Sequence, residues 1–94
     1  MLHIGKNVYV DPAMSQAQVE LVSELLEKAR KQTGVFYGEL VAQPKVIFCA
    51  TPDCYRAFGA VGLGFSDGNN LVISPQGQRV AIIAHELAHV EFSV

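Results

Sequence analysis

Three residues near the end of the sequence have the types and spacing for chemistry: His85, Glu86 and His89, in the run His-Glu-Leu-Ala-His. The stretch around them, from Val80 to Val90, is otherwise apolar and reads as helix. On a helix, residues i and i+4 lie about 40° apart around the axis and one turn up, so the two imidazoles project side by side and can share one metal ion. Glu86 sits about 100° round from His85, within reach of a water held at that ion but out of competition as a ligand. Two neutral imidazoles with a carboxylate base beside them make the working set of a hydrolytic zinc helix. The bland alternative is a surface helix that carries two His and a Glu by coincidence. It must leave three ionisable groups in apolar surroundings with nothing to pair with them. Val80, Ile83, Leu87 and Val90 form a separate stripe at i, i+3, i+7 and i+10, so the core-facing side of this helix is not the histidine side.

The elements that must position this helix can be read from the start of the chain. Leu2, Ile4, Val8 and Val10 alternate with His3, Gly5, Asn7 and Tyr9, which predicts a half-buried first strand ending at Asp11-Pro12. Ser15 with Gln18 three residues on is a capping-box pattern that opens a long helix. Val19, Val22, Leu26 and Ala29 give that helix its buried stripe, widened by Leu21 and Leu25. Glu24–Lys28 and Glu27–Lys31 are i,i+4 pairs in the favourable order, and Gly34 is expected to stop the helix, with Lys28, Arg30 and Lys31 near its negative end. Val35 to Gln43 reads either as a strand broken by Gly38 or as an apolar loop. Val46 to Cys49 is a continuous apolar run suited to a central strand buried on both faces. Thr51, Pro52 and Asp53 open a short helix that Gly59 follows. Val61 to Phe65 and Leu71 to Ser74 flank Asp67-Gly68-Asn69-Asn70, the pattern of a hairpin. Gly59, Gly62 and Gly64 do not fit a nucleotide-loop spacing and read as turn or bulge glycines. The order strand, helix, strand, short helix, hairpin, helix predicts an α+β fold: a small mixed sheet with an amphipathic helix and the C-terminal metal helix packed on it.

Ninety-four residues, half of them hydrophobic and about a sixth charged, make one globular domain over 1–94. A net charge of −2 and the lack of any basic run give no electrostatic case for nucleic acid. The N-terminal residues lack the apolar core of a secretory signal, no stretch approaches membrane-spanning length, and the chain is expected to be cytoplasmic. In that compartment Cys49 and Cys54 are expected to be reduced thiols, Cys49 buried in its strand and Cys54 near a helix start.

His85-Glu86-Leu87-Ala88-His89 resembles the active-site helix of the zincin metallopeptidases. The looser likeness extends back to Leu71–Ser74, which falls where zincins place the edge strand that holds substrate. The resemblance implies Zn²⁺ held by His85 and His89, Glu86 as catalytic base, and hydrolysis of a peptide or protein substrate. It also implies a third metal ligand downstream of the second histidine, whereas this sequence ends at Val94; the expectation is a minimal or C-terminally truncated zincin-like domain. Glu91 stands where zincins keep an apolar residue, about 160° round the helix from His89, and does not reach the same ion. His3, Glu39, Asp53, Cys54 and Asp67 are the upstream candidates for a third ligand, and Tyr55, Tyr37, Arg56 and Arg79 the candidate donors to a transition-state oxyanion. Two alternatives stand beside the peptidase: a non-enzymatic metal-binding or interaction module that retains the helix, and a structural domain whose apolar C-terminal end binds a partner. Phe92 and Val94, apolar and without a helix stop after them, lead to the expectation of a homodimer through the C-terminal helix.

Overall fold

The computed structural model describes residues 1–37, 43–67 and 69–92, with Phe36, Tyr37, Asp67 and Phe92 described as backbone. Its elements are β1 (Leu2–Gly5), β2 (Val8–Val10), α1 (Gln16–Tyr37), β3 (Lys45–Phe48), α2 (Pro52–Ala57), β4 (Gly64–Asp67), β5 (Asn70–Ile73), a 3-10 turn (Pro75–Gly77) and α3 (Val80–Phe92). The five strands form one mixed sheet in the order β1-β2-β3-β5-β4. The three inner strands run parallel, while β1 and β4 pair antiparallel at the two edges. This is the α+β arrangement with a small mixed sheet that the order of sequence patterns predicts.

Period-two alternation distributes the side chains between two faces. Val8, Val10, Val46, Phe48, Leu71 and Ile73 form the main core with Val22, Leu26 and Ala29 of α1 and Ile83, Ala84, Leu87 and Val90 of α3. Ile47, Cys49 and Val72 point the other way and are covered by Tyr55 of α2, with Ala60, Tyr9 and Phe65 around them. β3 is therefore buried on both faces, as its unbroken apolar run requires. Asp11, itself buried, ties the ends of β2 and β3 together: its carboxylate accepts from the Ala13 and Ala50 backbone N–H groups at 3.0 and 3.1 Å.

Several local expectations are corrected. The predicted first strand is a hairpin: Leu2 pairs with Val10, and the chain reverses at Lys6-Asn7, with Asn7 at φ 60°. Asn is among the few non-glycine residues that tolerate this conformation, so the alternation of Leu2-Ile4 with Val8-Val10 conceals a turn. The capping box of α1 forms, with Gln18 N–H donating to Ser15 Oγ at 3.2 Å and Ser15 N–H to Gln18 Oε1 at 3.0 Å. The helix does not stop at Gly34, however; it runs through that residue to Tyr37. Lys28, Arg30 and Lys31 are thus interior residues of α1 and not its last turn. Lys28 pairs with Glu24 at 3.1 Å as expected, whereas Glu27 takes Arg30 one step closer, at 3.3 Å. Cys49 and Cys54 are not free thiols: the structure joins them in a disulfide. The end of β3 and the first turn of α2 bring their Cα atoms to 5.6 Å, inside the range a bridge spans. The ambiguous stretch 38–42, including Leu40 and Val41, lies outside the described residues.

Candidate metal centre

α3 begins after the 3-10 turn and packs on α1, β4 and β5. Its apolar stripe fixes the rotation of the helix. Ile83, Leu87 and Val90 are buried and Val80 is half-buried. With that side against the core, i+2 and i+6 from Ile83 must face out, and His85 and His89 are exposed. Their rings stand edge to face at 89°, and the two Nε2 atoms lie 3.0 Å apart, one donating and the other accepting. Two zinc–nitrogen bonds of about 2.0–2.1 Å at a tetrahedral angle would place the nitrogens roughly 3.3 Å apart. The observed gap differs by a few tenths of an ångström, which a small change in side-chain torsion covers. The pair therefore fits one ion of this kind.

Glu86 is buried, unlike His85 and His89, with 8 % of its surface exposed. The helical turn carries it away from the histidine side towards β4, alongside Ile82, one turn earlier on the same strip. A ligand atom of Glu86 lies within 4.8 Å of one from each histidine. Among the described residues, His85, Glu86 and His89 form a group able to hold a metal, and no further His, Cys, Asp or Glu joins them.

The strand beside Glu86 is β4 and not β5. The expectation that Leu71–Ser74 forms the edge is corrected: β5 lies between β3 and β4, paired on both sides, and its Leu71, Val72 and Ile73 are buried. β4 takes the edge because the hairpin folds outwards from β5. The apolar run Leu71-Val72-Ile73 suits burial on two faces and so an interior strand, against the place that the zincin likeness gave it. Gly64, at the head of β4, lies directly against Glu86. A Cβ built there would meet Glu86 Cγ at 2.7 Å.

No protein-family model, curated protein or solved structure matches the chain. The site therefore rests on its own geometry.

Of the proposed third ligands, those whose side chains are described do not gather at the site. His3 stacks on Tyr9 at the β1 edge, the opposite side of the sheet from β4. Asp53 pairs with Arg56 on α2, and Cys54 is held by Cys49. Glu39 and the side chain of Asp67 lie outside the described residues. Of the candidate donors, Tyr55 comes closest to the chemistry. Burial first, and then the charge of Glu86, push its phenol above its ordinary pKa of 10.0. Its hydroxyl is committed, however, donating to Val61 O at 2.9 Å. Arg56 is taken by Asp53, Arg79 is exposed ahead of α3, and the Tyr37 side chain lies outside the described residues.

Proposed function

We propose that the chain is a zinc-dependent metallopeptidase-like protein in which His85 and His89 hold the ion and Glu86 is the general base. The observation that carries this reading is the division between the two exposed, converging imidazole Nε2 atoms and the buried carboxylate beside them. When bound, zinc would supply Lewis acidity, lowering the pKa of water towards about 7 and polarising a carbonyl. To hold the ion, His85 and His89 would both offer Nε2 lone pairs, each ring carrying its proton on Nδ1. Glu86 accepts the proton of the attacking water and returns it to the leaving amine. Its burial between α3 and β4 restricts its orientation. β4, an antiparallel edge strand beside α3, has an outer rim of backbone groups on which an extended peptide can add as a further strand. The resemblance to zincins supports the same assignment, with β4 in the role of the substrate-holding edge strand.

The test combines metal content with one substitution. Purified protein should contain about one zinc per chain and hydrolyse unfolded peptide in a chelator-sensitive way. Glu86→Gln should retain the metal and lose at least about a hundredfold in kcat, since the amide keeps the shape but cannot take a proton. Full activity in that variant would overturn the reading.

A second reading, a metal-binding module without hydrolytic activity, is favoured by one observation: no third protein ligand joins the group among the described residues. Zinc bound with no hydrolysis of any peptide would select it. In either case a second copy could complete the metal shell through the C-terminal helix. The Phe92 side chain and Val94, on which that proposal was based, lie outside the described residues. Sedimentation with and without chelator, alongside Phe92→Ser, tests it: a dilute monomer whose mass ignores both would end it.

A further inference from the structure

We infer that Gly64 is a positioning residue for Glu86: the missing side chain at the head of β4 is what lets the carboxylate lie buried between the edge strand and α3. The inference rests on the proposed function for its catalytic consequence, but its structural content stands alone. Gly59 and Gly62 have positive φ, at 69° and 79°, and are explained by their backbone. Gly64 has no such conformation. It sits in a strand, where any residue with a side chain is the better choice. What distinguishes it is space. A Cβ at this position would stand 2.7 Å from Glu86 Cγ and 3.3 Å from both Glu86 Cδ and Ile82 Cγ2.

The strand cannot move away to make room, because the segment before it is tied from two sides. Tyr55 Oη donates to Val61 O at 2.9 Å. Ser74 donates to Leu63 O twice, from Oγ at 2.7 Å and from N–H at 3.1 Å. Gly77 backs the same carbonyl so closely that a Cβ there would lie 2.0 Å from Leu63 O. Val61 and Leu63 are exposed, so the ties act through backbone carbonyls and not through buried side chains. With β4 held at its head and Ile82 packed beneath it, the group left to yield on adding a methyl at Gly64 is the Glu86 side chain. It would swing out from under the strand, while His85 and His89, on the adjacent exposed face of α3, would stay.

Gly64→Ala tests this in the full chain. Carboxyl labelling with carbodiimide and glycine ethyl ester, mapped by mass spectrometry, reads the exposure of Glu86 directly. The expected result is several-fold greater labelling of Glu86 than in the wild type, with exposed Glu20 and Glu24 unchanged as references. Zinc stoichiometry and Tm should be retained, and kcat on peptide should fall at least tenfold with KM within twofold. In the Glu86→Asp background, with one methylene fewer beneath the new methyl, Gly64→Ala should cost less kcat than it does in the wild type. Equal labelling of Glu86 in wild type and Gly64→Ala would overturn the inference, as would undiminished kcat in an active enzyme. If the wild type hydrolyses nothing, the peptidase reading fails and the labelling comparison still decides the role of Gly64. If Gly64→Ala does not fold alone, it is made in the Ile82→Ala background, which opens space beneath the strand, with Ile82→Ala by itself as the reference. Ile82→Ala together with Gly64→Ala should then restore low labelling, and its failure to do so would count against the inference.

Discussion

Glu86 is a charged residue buried between an edge strand and its own helix, while the histidines either side of it are open to solvent. A carboxylate in that position is costly unless its charge is used or paired. Its effect is already visible on Tyr55, whose phenol is raised chiefly by burial and further by the Glu86 charge. The raised value has a direction for stability. An unfolded tyrosine loses its proton near pH 10, whereas native Tyr55 keeps it to higher pH. The contribution is therefore fully present below about pH 10 and is lost as pH climbs through the raised native value. Urea unfolding between pH 8 and 11 should show an alkaline decline in the wild type that is smaller in Tyr55→Phe. At pH 8 the same variant should be less stable by about 1 kcal/mol, through loss of the hydrogen bond to Val61 O. An identical alkaline decline in both proteins would show that another group is responsible.

At the scale of elements, α1 shows how a local stop signal yields to context. Gly34 was expected to end the helix in a left-handed conformation. Instead it lies inside a helix of 22 residues, at an ordinary φ. A single glycine costs a helix roughly 1 kcal/mol, too little to end one whose neighbouring turns are anchored in the core by Val22, Leu26 and Ala29. Nothing lies within 4 Å of a Cβ built at Gly34. Gly34→Ala should therefore stabilise the protein by about 0.5–1 kcal/mol, measured as a higher urea midpoint with unchanged slope. Destabilisation would mean that the glycine is needed for its backbone freedom after all. The disulfide belongs to this scale as well. It closes a short loop between β3 and α2 and so holds the helix that carries Tyr55 against the sheet.

For the whole molecule, α3, which carries the candidate metal group, is also a structural member. One side of α3 completes the core with α1, and another faces β4, while the histidines remain outside both contacts. An ion bound by His85 and His89 in the folded state alone must stabilise the entire fold by mass action, about 2.7 kcal/mol at a hundredfold excess over Kd. For a domain of this size that is a rise of roughly 10–20 °C in Tm. Zinc should produce the shift in the wild type, chelator should reverse it, and His85→Ala or His89→Ala should abolish it with little change in metal-free Tm. A zinc-dependent shift that survives both substitutions would place the metal elsewhere. Among the described residues no helix is long and apolar enough to cross a membrane.

The sequence by itself determined what depends on neighbours a few residues apart. The i,i+4 spacing of His85 and His89, the capping box at Ser15 and Gln18, the Val22, Leu26 and Ala29 stripe of α1, the stripe of α3 and the doubly apolar β3 are local patterns, and each appears where its periodicity requires, whereas Leu21, expected to widen the α1 stripe, is exposed. Tertiary structure decided everything that turns on which element lies beside which. A period of two is the same in a single strand and in a hairpin, so the turn at Asn7 was hidden. The likeness to zincins assigned the edge to Leu71–Ser74, but which arm of the hairpin pairs with β3 is set by the sheet, and β5 lies inside it. Cys49 and Cys54 are only five residues apart, and their pairing was missed because an expected reducing compartment was set above their spacing. The meeting of Gly64 with Glu86, 22 positions apart, depends on packing that no local pattern encodes. That packing brings the edge strand against the carboxylate, leaving the two histidines on the open side of the same helix.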